Sequence, residues 1–266
     1  MSLLTVEDLS VGYHHKGTVV QAVDGVSFTI EPGEVLALVG ESGSGKSSIA
    51  LAMSRLLSSP PAIVSGRVMM NGHDLLRASE EMLRTIRGGT IAYVFQDPAT
   101  SLNPVLTIGE QLREMLELHT ERRGREADAH AVEWLSRVGI PTDQARLGAY
   151  PHEFSGGMQQ RVMMAMAMMA SPKLLIADEP TSALDVTVQL QILRLLRDLQ
   201  QRLRLSVLLV SHDLTVVERI AHRVVILSSG RVVETGPVTH VLRQPTHPYT
   251  KALLSARLPA RLRTHG

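Results

Sequence analysis

An α/β fold with a largely parallel sheet is predicted by three features of the sequence. Four short, continuous apolar runs, at 35–39, 91–95, 174–177 and 207–210, have the composition of strands buried on both faces. Helical patterns alternate with them. In the clearest, Ile192, Leu195, Leu196, Leu199 and Leu203 recur at helical spacing. The run at 35–39 ends directly in a glycine-rich turn that opens a helix. Strands alternating with helices predict a parallel sheet rather than a sandwich or a bundle.

The elements follow in order. Residues 3–39 read as strands: Leu4-Thr5-Val6-Glu7 and 19–23 are β-rich, and 26–30 alternates apolar with polar. Glu31-Pro32-Gly33 is a turn before the first buried strand. A helix is expected over about 46–57, and Pro60-Pro61 ends that region. The stretch 97–171 is mostly helical with charge-rich loops such as Glu121-Arg122-Arg123-Gly124-Arg125-Glu126, so it is predicted to be an inserted helical subdomain. A helix spans 186–203. Ser228-Ser229-Gly230-Arg231 then sits between 224–227 and 232–234 as a hairpin turn. No internal repeat or low-complexity segment interrupts the pattern.

Bulk properties narrow the function. The 266 residues suffice for one large domain, or one with an insertion. A formal net charge of +1 gives no reason to expect nucleic acid as the partner. The absence of cysteine removes disulfides and thiolate metal sites, and fits a reducing compartment. The start, Met1-Ser2-Leu3-Leu4-Thr5-Val6-Glu7-Asp8, turns acidic at once, without the basic start and apolar run of a signal peptide. The longest apolar run, 162–170, is far short of the roughly 20 residues that span a bilayer. If this protein serves a membrane, it must dock onto chains that cross it.

The chemistry is concentrated in two segments. Gly40-Glu41-Ser42-Gly43-Ser44-Gly45-Lys46-Ser47 follows a buried strand and opens a helix. Its glycines let backbone N–H groups curl inward onto phosphate oxygens, where the helix N-terminus adds its positive dipole end. Lys46 is placed to reach the β- and γ-phosphates, Ser47 to ligate Mg²⁺, and Ser48 joins the loop as a nucleotide contact. The second segment, Leu174-Leu175-Ile176-Ala177-Asp178-Glu179, is an apolar strand ending in two carboxylates. Asp178 at the tip suits a Mg²⁺-linked position, and Glu179 suits a general base for the attacking water. Open α/β sheets place ligands at the carboxyl ends of strands, which favours both readings over simple strand ends at the surface.

Phe154-Ser155-Gly156-Gly157-Met158-Gln159-Gln160-Arg161 resembles the signature motif of the ABC transporter ATPases, and the resemblance extends over about residues 3–236. A serine and two glycines opening a helix offer free N–H groups to a γ-phosphate, so Ser155, Gly156, Gly157 and Gln159 are candidate nucleotide contacts. The resemblance implies a P-loop NTPase core with an N-terminal antiparallel β subdomain, the helical insert, and a short tail over 237–266. It implies that Tyr13 stacks on adenine. Gln96 would sense Mg²⁺ and the γ-phosphate and couple to membrane subunits. Ser182-Ala183-Leu184-Asp185 would cross to a partner, with Asp185 also able to cap a helix, and His212 would contact the γ-phosphate. It implies ATP and Mg²⁺ as ligands and a second ATPase subunit whose signature completes this chain's site. The resemblance further implies two transmembrane permease subunits as partners and a peripheral location on the cytoplasmic face of the inner membrane.

Gln96-Asp97-Pro98, Ser101-Leu102-Asn103-Pro104 and Gln244-Pro245-Thr246-His247-Pro248-Tyr249-Thr250 resemble the dipeptide, oligopeptide and nickel importer branch. That branch implies a peptide cargo, with nickel or a metal chelate as the alternative, delivered by a separate substrate-binding protein. Without cysteine, no iron–sulfur cluster is expected. A non-transport member of the superfamily would usually carry two ATPase halves or a long coiled-coil insertion, and a regulatory member without turnover would lose Glu179 or His212. The methionines crowding 158–169 are expected to be core. His14-His15 and the basic tail (Arg243, Lys251, Arg257, Arg261, Arg263) are expected to be solvated.

Overall fold

The computed structural model describes residues 2–140, 147–182 and 184–257. Ala183 of the predicted partner-facing loop, and Arg261 and Arg263 of the basic tail, lie outside them. The chain divides into two units, one made of Met1–Ala78 with Leu208–Gly266 and the other of Ser79–Val207.

The first unit opens with a hairpin of β1 (Leu4–His15) and β2 (Thr18–Ile30), antiparallel from Leu4↔Ile30 to His15↔Thr18. Lys16 and Gly17 both have positive φ, the backbone of a turn whose twist matches its strands. The two β-rich stretches expected at 19–23 and 26–30 are one strand. β1 is re-phased at Asp8, whose φ is +48°, so Leu4 and Val6 before it and Leu9 and Val11 after it are all buried. β3 (Val35–Val39) is buried at every residue, and α1 (Lys46–Met53) follows it. β4 (Ala62–Met70) pairs antiparallel with β1, and β5 (His73–Asp74) closes a sheet of order β2-β1-β4-β5.

The second unit is mostly helical. It runs through α2 (Glu80–Ile86), β6 (Ile91–Val94), α3 (Pro98–Ser101), α4 (Ile108–His119), α5 (Gly124–Arg137), α6 (Gly156–Met168), β7 (Leu174–Asp178) and α7 (Val186–Leu203). β6 and β7 pair in parallel from Ile91↔Leu174 to Val94↔Ala177. α4 starts at a reciprocal cap: the Thr107 hydroxyl accepts the Glu110 N–H, and the Glu110 carboxylate accepts the Thr107 N–H at 2.7 Å. Met163, Met164, Met168 and Met169 are buried, as expected of a core.

β8 (Ser206–Ser211) carries the chain back into the first unit. There α8 (Leu214–Ile220), β9 (Arg223–Ser228), β10 (Arg231–Pro237), α9 (Val238–Val241) and α10 (Pro248–Arg257) follow. β3 pairs parallel with β9, β9 antiparallel with β10, and the strand order on this side is β10-β9-β3-β8. The buried Glu34 carboxylate accepts Arg223 Nη1 at 3.0 Å, which ties the start of β3 to that of β9. Among the described residues no helix is long and apolar enough to cross a membrane.

Candidate functional site

The first unit holds the phosphate loop. β3 delivers Gly40, and the loop ends at Gly45, whose φ of +100° starts α1 without a side-chain cap. A helix start with no capping side chain is the arrangement in which backbone N–H groups and the positive dipole end can receive an anion. Glycine is required at two places. A Cβ on Gly40 would lie 2.4 Å from the Leu227 carbonyl oxygen, and one on Gly45 would lie 2.5 Å from that of Ala22. Lys46 is buried, and its ammonium donates to the carbonyls of Gly40 at 2.9 Å and Glu41 at 2.8 Å, so it spans the loop. Glu41, Ser42, Gly43 and Ser47 are exposed along the rim, and Ser44 is buried beneath it. The Tyr13 hydroxyl hydrogen-bonds Ser48 Oγ at 2.9 Å, joining the predicted adenine platform to the helix that carries the loop. His212 is exposed just beyond β8, and Asp213 after it caps α8.

The second unit holds the carboxylates. Asp178, the last residue of β7, is buried and accepts the Tyr93 hydroxyl at 3.2 Å. Burial, together with the Asp178 charge and this hydrogen bond, pushes the Tyr93 phenol well above its usual pKa, so it remains a donor. Glu179 has a φ of +44°, a backbone that non-glycine residues adopt at a cost. Its carbonyl accepts the Ser182 N–H at 3.2 Å and hydroxyl at 3.1 Å. Because Val94 pairs with Ala177, Gln96 leaves β6 where Glu179 leaves β7, and Gln96 Nε2 donates to Glu179 Oε2 at 3.2 Å.

The signature segment starts α6. Ser155 is its N-cap, with Oγ accepting the Met158 N–H, and Gly156 lies exposed beside it. The Gln159 amide donates to the carbonyls of Pro151 at 2.8 Å and Phe154 at 3.2 Å, so it braces the turn before α6. Asp185 caps α7 by accepting the N–H groups of Thr187 and Val188, each at 3.0 Å. Sequence reasoning missed Tyr93. A hydroxyl inside an otherwise apolar strand was the available signal.

An α/β chain with a glycine-rich phosphate loop opening an uncapped helix, a strand ending in paired carboxylates and a Ser-Gly-Gly helix start is a nucleotide-hydrolysing cassette. Residues 23–182 match the ABC transporter family, and the chain belongs to it as an ATPase subunit. It is 52% identical over 254 residues to a putative peptide import ATP-binding protein of Brucella abortus, covering 96% of this chain and 76% of that one. It is 48% identical over 255 residues to the oligopeptide transport ATP-binding protein OppD of Bacillus subtilis, covering 96% and 71%. Among solved structures it is similar to the dimeric ATP-binding cassette MJ0796 in a post-hydrolysis state bound to ADP and Pi. The TM-score is 0.78 at 28% identity, over 88% of this chain and 98% of that one.

Proposed function

We propose that this chain is the ATP-hydrolysing motor of a peptide importer. It would work with a second ATPase subunit on two separate membrane subunits at the cytoplasmic face of the membrane, served indirectly by a substrate-binding protein. The observation that carries the cargo class is the 52% identity to a peptide import protein across 96% of the chain.

The residues supply each step. Backbone N–H groups of the loop at 40–47 receive the phosphates, and Lys46 turns its donors from the Gly40 and Glu41 carbonyls to the β- and γ-phosphate oxygens. Tyr13 receives the adenine ring. Ser47 in the first unit, and Asp178 and Gln96 in the second, each offer an oxygen suited to a hard cation, and bound Mg²⁺ would offset the charge on the phosphates. Glu179 orients and deprotonates the attacking water, with the Gln96 amide fixing one carboxylate oxygen. His212 contacts the γ-phosphate. Ser155, Gly156 and Gly157 offer the start of α6 to the γ-phosphate on the partner subunit, and the loop at 182–185 crosses to that subunit. Two bound ATP molecules then close the pair, and hydrolysis releases it.

Purification from the native host with co-purifying chains, followed by uptake assays on the assembly in vesicles, tests the cargo. ATP-dependent uptake of labelled di- or oligopeptide is expected. Uptake of ⁶³Ni²⁺ without peptide uptake would replace the peptide reading by the nickel one.

A further inference from the structure

The segment Gln244-Pro245-Thr246-His247-Pro248-Tyr249-Thr250 has no part in the chemistry described above, yet it ends on the phosphate loop. The Glu41 N–H donates to the Tyr249 hydroxyl oxygen at 3.1 Å, across 208 positions of sequence. That N–H and the Gly40 carbonyl belong to one peptide group, and the carbonyl accepts Lys46 Nζ at 2.9 Å. The first peptide of the loop is thus held at both its polar ends, by Lys46 on one side and by Tyr249 on the other. Next along the chain, the Glu41 carbonyl accepts the Ser44 N–H at 3.1 Å and Lys46 Nζ at 2.8 Å.

Tyr249 is itself held in place. Glu234 on β10 accepts the Thr246 N–H at 2.8 Å, the Thr246 hydroxyl at 2.9 Å and the His247 N–H at 3.1 Å. Burial alone would raise the Glu234 pKa. The donors from Thr246 and His247 outweigh it and bring the carboxyl down to about 2. The buried Thr250 hydroxyl adds to this electrostatically without closing a hydrogen bond of good geometry. His247 Nδ1 then accepts the Tyr249 N–H at 3.2 Å, and the His247 carbonyl accepts the Lys251 N–H at 3.1 Å, so the first turn of α10 is fixed. The side chain that reaches the loop leaves a helix start that cannot easily swing away.

We propose that Tyr249 is a positioning residue for nucleotide binding, holding the Gly40–Glu41 peptide in the phosphate-ready orientation through a clasp anchored by Glu234. When phosphate arrives and Lys46 turns toward it, Tyr249 is the contact that still fixes this peptide. Without the phenol oxygen, the N–H must find water and the peptide is free to rotate, which is a preorganisation cost charged to phosphate binding. The inference rests on ATP being held at this loop.

The test uses the full chain with Tyr249→Phe, which keeps the ring and removes one oxygen. One net hydrogen bond corresponds to roughly a threefold to tenfold loss of affinity. The expected result is a rise of that size in the ATP dissociation constant, measured by displacement of a fluorescent nucleotide. Inorganic pyrophosphate, which reads the loop without the adenine platform, should weaken by the same factor. In turnover, KM for ATP should rise by that factor while kcat stays within about twofold. Glu234→Gln should act in the same direction, and the double variant should bind no more weakly than the weaker-binding single one. Unchanged or tighter ATP binding by Tyr249→Phe overturns the proposal, as does weaker ATP binding with unchanged pyrophosphate binding. Lys46→Ala separates the two readings. Loss of nucleotide binding there with a silent Tyr249→Phe sinks the clasp alone, whereas full binding by Lys46→Ala sinks the phosphate-loop reading itself.

Discussion

At the scale of residues, Glu179 combines an unusual backbone with a defined partner. Its φ of +44° and the hydrogen bonds of its carbonyl to Ser182 fix where the side chain starts, and Gln96 fixes one carboxylate oxygen. A carboxylate so constrained is suited to holding water in line with a phosphate. Glu179→Gln keeps the size and the possibility of a hydrogen bond to Gln96 but removes the base. General bases contribute about 10²- to 10⁴-fold, so kcat is expected to fall at least 100-fold with ATP affinity within a few-fold of wild type. Single-turnover phosphate release alongside equilibrium ATP binding checks this, and near-normal hydrolysis would remove Glu179 from the role of base. The contiguous patterns were legible in sequence because a phosphate loop and a strand-end pair of acids are local. Tyr93 and Tyr249 were not, because their partners lie 85 and 208 positions away.

At the scale of elements, the buried parallel strands read directly from their apolar runs, and the helix expected over 186–203 has those bounds as α7. β4 was not seen, because its periodicity breaks at Gly66. A Cβ there would lie 2.6 Å from the Asp8 carbonyl, at the point where β1 is itself re-phased. Strand irregularities of this kind hide the two-residue alternation on both partners at once. α6 and α7 show another long-range constraint. A Cβ on Gly157 would sit 2.5 Å from Val188 Cγ1, a β-branched side chain that cannot rotate aside freely. Gly157→Ala should therefore push the start of α6 away from α7. Overpacking of this kind costs about 1–3 kcal/mol, seen as a melting temperature lower by a few degrees, with ATPase activity reduced as the signature turn shifts. Val188→Ala in the same chain should recover most of both. Equal loss in single and double variants would place the requirement for glycine elsewhere.

At the scale of the whole molecule, the sequence carries one phosphate loop and one signature helix start, and in the proposed function these serve different sites when two subunits pair. A γ-phosphate meeting α6 of the opposite subunit links ATP occupancy to association, so the pair should form by mass action when ATP is bound and uncleaved. The Glu179→Gln chain, alone or mixed with any ATPase subunit that co-purifies, is expected to double its mass with ATP and Mg²⁺ in light scattering. The effect should grow with protein concentration and vanish when ADP replaces ATP. Ser155→Arg introduced into that background should keep ATP binding while abolishing the doubling, because it fills the helix start with a bulky cation and leaves the chain's own phosphate loop untouched. Persistence of the monomer mass in saturating ATP, with binding verified in the same sample, would mean that the signature does not act across subunits. Nucleotide would then have to drive the membrane partners through a change within each chain.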